Sequence, residues 1–118
     1  MNISIKTSNI DASSAVKSYV TEKIGHVLRL APKSESLQAV VELERTTAHH
    51  QKGLIFRVEI NVRGGGYFFR AEKESDDLYA AIDLAKDELG REIVSYKDKH
   101  VSLFKRGARV IKRLLRMN

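Results

Sequence analysis

The side chains in this sequence best placed to do chemistry are cations. Lys17, Lys23 and Arg29, with His26 close by, stand off or beside an apolar stripe of helical spacing. Lys86, Arg91, Lys97 and Lys99, ending at His100, do the same along a second such stretch. Cations in rows neutralise successive phosphates and release counterions, a contact without base specificity. The plain alternative is solvated lysines interspersed with acids, and residues 1–100 do balance, with 15 Lys+Arg against 15 Asp+Glu. Residues 101–118 do not. Lys105, Arg106, Arg109, Lys112, Arg113 and Arg116 stand there without an acid, so the whole net charge of +6 lies in this tail. A basic tail on a neutral body points to a polyanionic partner, nucleic acid or an anionic membrane. The competing explanation is a solvated, solubilising run.

Other constellations carry less. His49-His50 could hold a metal weakly, but no ligand set stands near them, and an exposed polar loop explains them. Asp76, Asp77, Asp83, Asp87 and Glu88 form a run of acids at a helix start, where the helix dipole favours them. Asp83 and Asp87 are four apart, yet no histidine accompanies them as a metal ligand. Gly64-Gly65-Gly66 follows a strand but lacks the lysine-serine or lysine-threonine end of a phosphate loop, and a strand follows it. It reads as a hairpin turn. With no cysteine there is no disulfide, thiolate nucleophile or cysteine-based zinc site. No catalytic residue, metal or cofactor is expected.

These side chains need elements to position them. Ile3 and Ile5 alternate with polar neighbours as in a half-buried strand. Asp11 is expected to cap a helix whose stripe is Val16, Tyr19, Val20, Ile24, Val27, Leu28 and Ala31, ending near Pro32. Strands follow through Leu37–Leu43, Leu54–Val62 and Tyr67–Ala71, with a polar loop over Thr46–Gly53. Ser75 or Asp76 is expected to cap a second helix carrying Leu78, Ala81, Ile82, Ala85, Leu89, Ile93 and Tyr96, weakened at Gly90 and running to His100 or beyond. The order β-α-β-β-β-α predicts an α+β fold, a four-stranded sheet with two helices on one face. The chain divides into a body, 1–100, and a basic amphipathic tail, 101–118. In the tail Val101, Phe104, Ala108, Ile111 and Leu115 keep helical spacing, with Gly107 as an interruption that would leave it ordered only when bound. No apolar run approaches the roughly 20 residues of a membrane helix. The N-terminus has no apolar signal core, so a cytoplasmic location is expected.

The stretch Asp77-Leu78-Tyr79-Ala80-Ala81-Ile82-Asp83, continuing to Leu89, Arg91 and Lys97-Asp98-Lys99, resembles the second helix of the ribosome hibernation-promoting factor and ribosome-associated inhibitor Y family. Asn9-Ile10, Ala15-Val16-Lys17, Tyr19-Val20 and Lys23-Ile24 are similar to its first helix. The resemblance covers roughly residues 1–100. It implies a fold similar to a double-stranded-RNA-binding domain and binding in the decoding region of the small ribosomal subunit. Lys17, Lys23, Arg29, Arg91, Lys97 and Lys99 stand where the family has RNA-contacting cations. Tyr79 matches the motif tyrosine and is expected to pack its helix on the sheet. Glu88 and Ser95 replace cations of some members, which weakens the second-helix surface unless the tail compensates. The chain has neither the dimerisation domain of the long form nor the acidic tail of some inhibitors, so it looks like a short form, a monomer when free. The family's older label of sigma-factor modulation finds no support in these residues. The resulting expectation is a non-enzymatic translation brake that binds ribosomal RNA, with Lys86 and the tail cations Lys105, Arg106, Arg109, Lys112 and Arg113 among its contacts. The alternative is a membrane- or protein-binding adaptor acting through the tail.

Overall fold

The computed structural model describes residues 2–46 and 53–116. Strand β1 (Asn2–Ser8), helix α1 (Ser14–Leu28), strands β2 (Gln38–Thr46), β3 (Ile55–Gly64) and β4 (Tyr67–Ser75), and helix α2 (Leu78–Arg116) follow in order. The sheet runs β1-β2-β3-β4. β1 and β2 are parallel, joined through α1, and the other two pairs are antiparallel. The β3–β4 hairpin turns at the glycines, where Gly66 takes the left-handed φ of 84°.

Both helix starts differ from expectation. Ser13, not Asp11, caps α1, its Oγ accepting from Val16 N at 3.2 Å. Asn9 turns the chain at φ 58° and residues 10–13 stay non-helical, which leaves Asp11 ahead of the first turn. Asp77, not Ser75 or Asp76, caps α2 through Oδ2 to Ala80 N at 3.0 Å, while Ser75 Oγ accepts from Asp77 N. At the other end, α1 stops at Leu28. Arg29, Leu30 and Ala31 then donate three residues back instead of four. Pro32 disfavours helical geometry at Ala31, so the last turn tightens before the chain leaves.

Both helices pack on one face of the sheet. Val16, Val20, Ile24 and Leu28 of α1 and Leu78, Ala81, Ile82, Ala85, Leu89 and Ile93 of α2 join one buried cluster with alternate residues of β2, β3 and β4. The apolar stripes and the period-two alternation therefore meet on a common side. One end of this core is pinned by Tyr67, whose hydroxyl donates to Pro32 O at 2.6 Å. A Cβ at Gly64 would fall inside the Tyr67 ring. Gly64→Ala is expected to cost about 1–3 kcal/mol by this overpacking, read as a lower urea midpoint.

The open face of the sheet is an ion network. Arg57 reaches Glu44 at 2.8 Å, Glu59 at 2.9 Å and Glu72 at 3.3 Å, and Arg70 reaches Glu59 and Glu72. Glu59 and Glu72 stand directly opposite on β3 and β4, a like-charge pair that the two arginines offset. Hydrogen bonds from Asn61 and Arg57, then Arg70, hold the Glu59 carboxyl down at about 2, against an ordinary value of 4.5. The fold thus favours the carboxylate. Its contribution is complete above the ordinary value and disappears as pH falls through the depressed one. Glu59→Gln is expected to lower stability at neutral pH and to flatten the loss on acidification over that window. Urea midpoints measured across it check both.

Candidate nucleic-acid interface

The helix pair is locked by an aromatic joint. Tyr19 of α1 donates to Asp83 Oδ1 of α2 at 2.6 Å and meets Tyr79 edge-on, with ring centroids 4.9 Å apart. The bond to Asp83 pushes the Tyr19 hydroxyl up to about 12. Lys23 Nζ lies 5.4 Å from the centroid of the Tyr19 ring, a cation–π placement. Tyr79 therefore packs helix on helix, not helix on sheet as expected, and stays 40% exposed. Its position is one residue past buried Leu78, on the flank of α2 that faces α1. Further along this flank, Gly90 lies against Val27.

Helical phase sorts the cations. Lys86 and Lys97 share the α1-facing flank, at the three-, four- and seven-residue intervals set by Tyr79, Asp83 and Gly90. They stand on the same side as Lys23. Lys86 pairs with its neighbour Asp87 at 3.1 Å. Arg91 lines a shallow pocket with Leu30, in the turn that ends α1, and Lys99 falls away from α1. Lys99 follows the row of Glu88, whose Oε2 is 3.4 Å from Lys73 Nζ of β4 but accepts no hydrogen bond. On α1, Lys17 lies on the flank away from α2, and Arg29 is the exposed C-cap residue. The expected shared groove thus brings together Lys23, Lys86 and Lys97. It does not include Lys17, Arg29 or Lys99, and Arg91 approaches it only at the end of α1, beside Leu30.

Lys17, Arg29, Arg91, Lys97 and Lys99 are all exposed, and among the described residues none is in an ion pair. Arg57 and Arg70, by contrast, are occupied by carboxylates on the open sheet face. These five are unopposed cations on the helices, while Lys6 of β1 and Arg63 of β3, also exposed, are likewise in no ion pair among the described residues. Acids are interleaved on the helices, because α2 up to His100 carries Asp83, Asp87, Glu88, Glu92 and Asp98 against four cations.

α2 continues unbroken through Gly107 to Arg116. Nothing lies within 4 Å of where a Gly107 Cβ would sit. A single glycine costs roughly 1 kcal/mol in a helix, which favourable neighbours can outweigh. Arg106, Arg109, Lys112 and Arg113 are exposed, as are Val110, Ile111 and Leu115 on other sides. Lys105 belongs to the helix as well.

The remaining candidates have structural roles or lie elsewhere. Asp77 caps α2, Asp83 holds Tyr19 and Asp87 pairs with Lys86. His49-His50 lies outside the described residues. Among the described residues, no group of three or more His, Cys, Asp or Glu could hold a metal ion. No helix among them is long and apolar enough to cross a membrane. Sequence reasoning missed the Arg57 network and the Tyr19–Asp83 bond. Alternating Glu and Arg on the outward positions of neighbouring strands is a signal for the first.

Comparison with known proteins agrees with this architecture. Residues 3–101 match the family model described as sigma 54 modulation protein / S30EA ribosomal protein. The ribosome hibernation promoting factor of Azotobacter vinelandii is 30% identical over 101 residues, covering 86% of this chain and 87% of that one. The ribosome hibernation promotion factor of Bacillus subtilis is 32% identical over 99 residues, 84% of this chain but 50% of its own longer one. The crystal structure of the Thermus thermophilus Protein Y N-terminal domain superposes with a TM-score of 0.68 at 33% identity, over 81% of this chain and 99% of that one.

Proposed function

This chain belongs to the sigma 54 modulation protein / S30EA ribosomal protein family, and from that membership we propose that it is a cytoplasmic, non-enzymatic ribosome-hibernation factor, a monomer when free. It seats on the small subunit in the decoding region, where messenger and transfer RNA would lie, and holds ribosomal RNA through phosphate contacts from its helices. The likeness to a double-stranded-RNA-binding domain belongs to this reading. The observation that carries it is the set of exposed cations in no ion pair, Lys17, Arg29, Arg91, Lys97 and Lys99, on the helices of a fold shared with that family. Sedimenting a lysate through sucrose and probing the fractions for this chain tests it. The chain is expected with small subunits and with particles containing them, and a chain confined to the top of the gradient contradicts the reading.

Acids among the body cations give the tail a share of the binding. Among the described residues every buried hydrophobic lies at or before Ile93, so truncation after His100 is expected to leave a folded body of zero net charge. That body should bind small subunits more weakly and with a shallower salt dependence. Each neutralised phosphate contributes about 0.7–0.9 to the slope of log affinity against log salt, so three engaged tail cations are worth roughly two. Titrations at two salt concentrations read the difference, and identical slopes for the two proteins exclude a tail–RNA contact.

A further inference from the structure

Because α2 does not break at Gly107, the rotational phase of the tail is set by the body. Positions 91, 95, 98, 102, 106, 109, 113 and 116 follow one another at intervals of three or four along this one helix, so they form a single stripe. It reads Arg91, Ser95, Asp98, Ser102, Arg106, Arg109, Arg113 and Arg116, with one acid against five cations. Arg91, Ser95, Asp98, Arg106, Arg109 and Arg113 are exposed. At its body end the stripe lies beside the turn that ends α1, where Arg91, Ser95 and Asp98 line a shallow pocket with Leu30. The α1-facing flank of Gly90 and Lys97 continues instead into positions 101, 104, 108, 111 and 115, the apolar positions of the tail.

We infer that the flank of α2 from Arg91 through Arg113 is a rigid track for the sugar–phosphate backbone of one RNA segment, reaching beyond the groove between the helices. The inference rests on the ribosomal reading above and adds the place and orientation of a second contact. Three arguments carry it. From Arg106 on, cations recur every three or four residues, a rise of about 5–6 Å, comparable to the separation of neighbouring phosphates along a strand, and Arg91 stands in phase with them fifteen residues earlier. The track from Arg91 to Arg113 is about 33 Å long, and the molecule's longest extent is 70 Å, so the arm projects well past the sheet. The apolar positions lie on another flank, so the basic flank can face a polyanion along its length. A lipid surface would instead take the apolar flank downward, with the cations beside it.

The test uses the full-length chain and purified small ribosomal subunits. Two alanines inserted between His100 and Val101 turn the tail by about 200° and advance it by only about 3 Å. Four alanines advance it by about 6 Å but turn it by a net of about 40°. Both insertions follow Ile93, the last buried residue among those described, and an unchanged urea midpoint verifies the body. The four-alanine protein is expected to keep most of the wild-type salt slope. The two-alanine protein is expected to lose roughly two from it, if Arg106, Arg109 and Arg113, the exposed tail cations of this flank, each hold a phosphate. Equal slopes for all three proteins overturn the track and leave ribosome binding standing. A wild-type chain that fails to bind small subunits overturns the functional reading itself. Phosphatidylserine–phosphatidylcholine vesicles form the second arm. If the two-alanine insertion abolishes vesicle adsorption while small-subunit binding stays unchanged, the flank is a membrane contact and the inference is wrong.

Discussion

Replacing Lys23, Arg91 and Lys97 together with glutamate is expected to abolish binding to the small subunit and leave the fold intact. Arg91 and Lys97 are exposed, and neither is in an ion pair among the described residues. Their reversal takes no partner from the body. Lys23 is half-buried over the Tyr19 ring, and losing that cation–π contact costs about 0.5–1 kcal/mol. The binding loss is far larger. Charge-assisted hydrogen bonds contribute about 1.5–3 kcal/mol each. Three lost contacts therefore weaken affinity on the order of a thousand-fold or more, before the repulsion between glutamate and phosphate is added. Because Lys23 and Lys97 stand on the groove side and Arg91 on the flank of the track, the triple change affects both contact surfaces. Co-sedimentation measures binding, and circular dichroism with a urea midpoint measures the fold. Undiminished co-sedimentation of a folded triple mutant removes these residues from the interface.

The core carries the second large effect. Ile82 is fully buried in the cluster where α2 meets the sheet. Ile82→Ala removes its buried methyl and methylene groups and leaves a cavity that close-packed neighbours fill only in part. The expected cost is about 2–5 kcal/mol. Val58→Ala, at an equally buried site on β3, removes less volume and is expected to cost less. A domain of this size has a total stability of about 5–15 kcal/mol, so the isoleucine change takes a large share of it. A denaturation midpoint that barely moves for Ile82→Ala would mean the helix face and sheet register described above are wrong.

The core was legible because its signal is periodic. Val16, Val20, Ile24 and Leu28 on one helix, and Leu78 through Ile93 on the other, repeat at the interval the geometry demands. Val58, Ile60 and Val62 alternate as a half-buried strand does. What the pattern could not place were choices between chemically equivalent neighbours. Asp11 and Ser13 are both good caps, as are Ser75, Asp76 and Asp77. The winner in each case depends on where the preceding turn releases the chain. Pair contacts distant in sequence were also hidden. Tyr19 and Asp83 meet only because both helices run the same way over one sheet face. That arrangement also moved Tyr79 from its expected place on the sheet to the joint between the helices. On the interface, the sequence identified the cations but not their flanks. Whether Arg91 lines the groove or the track depends on the position of α1. The phase of the tail depends on α2 continuing through Gly107, which local propensity argued against.

The most direct measurement of the central claim is hydroxyl-radical footprinting of small-subunit RNA with and without the full-length chain. The radical attacks the sugar backbone, so it reads the contacts that basic helices make. Protection is expected at backbone positions of the decoding region. It should weaken steeply as salt rises and vanish for the Lys23, Arg91 and Lys97 charge reversal. A bound chain that leaves the decoding-region backbone as reactive as in the free subunit would contradict the account.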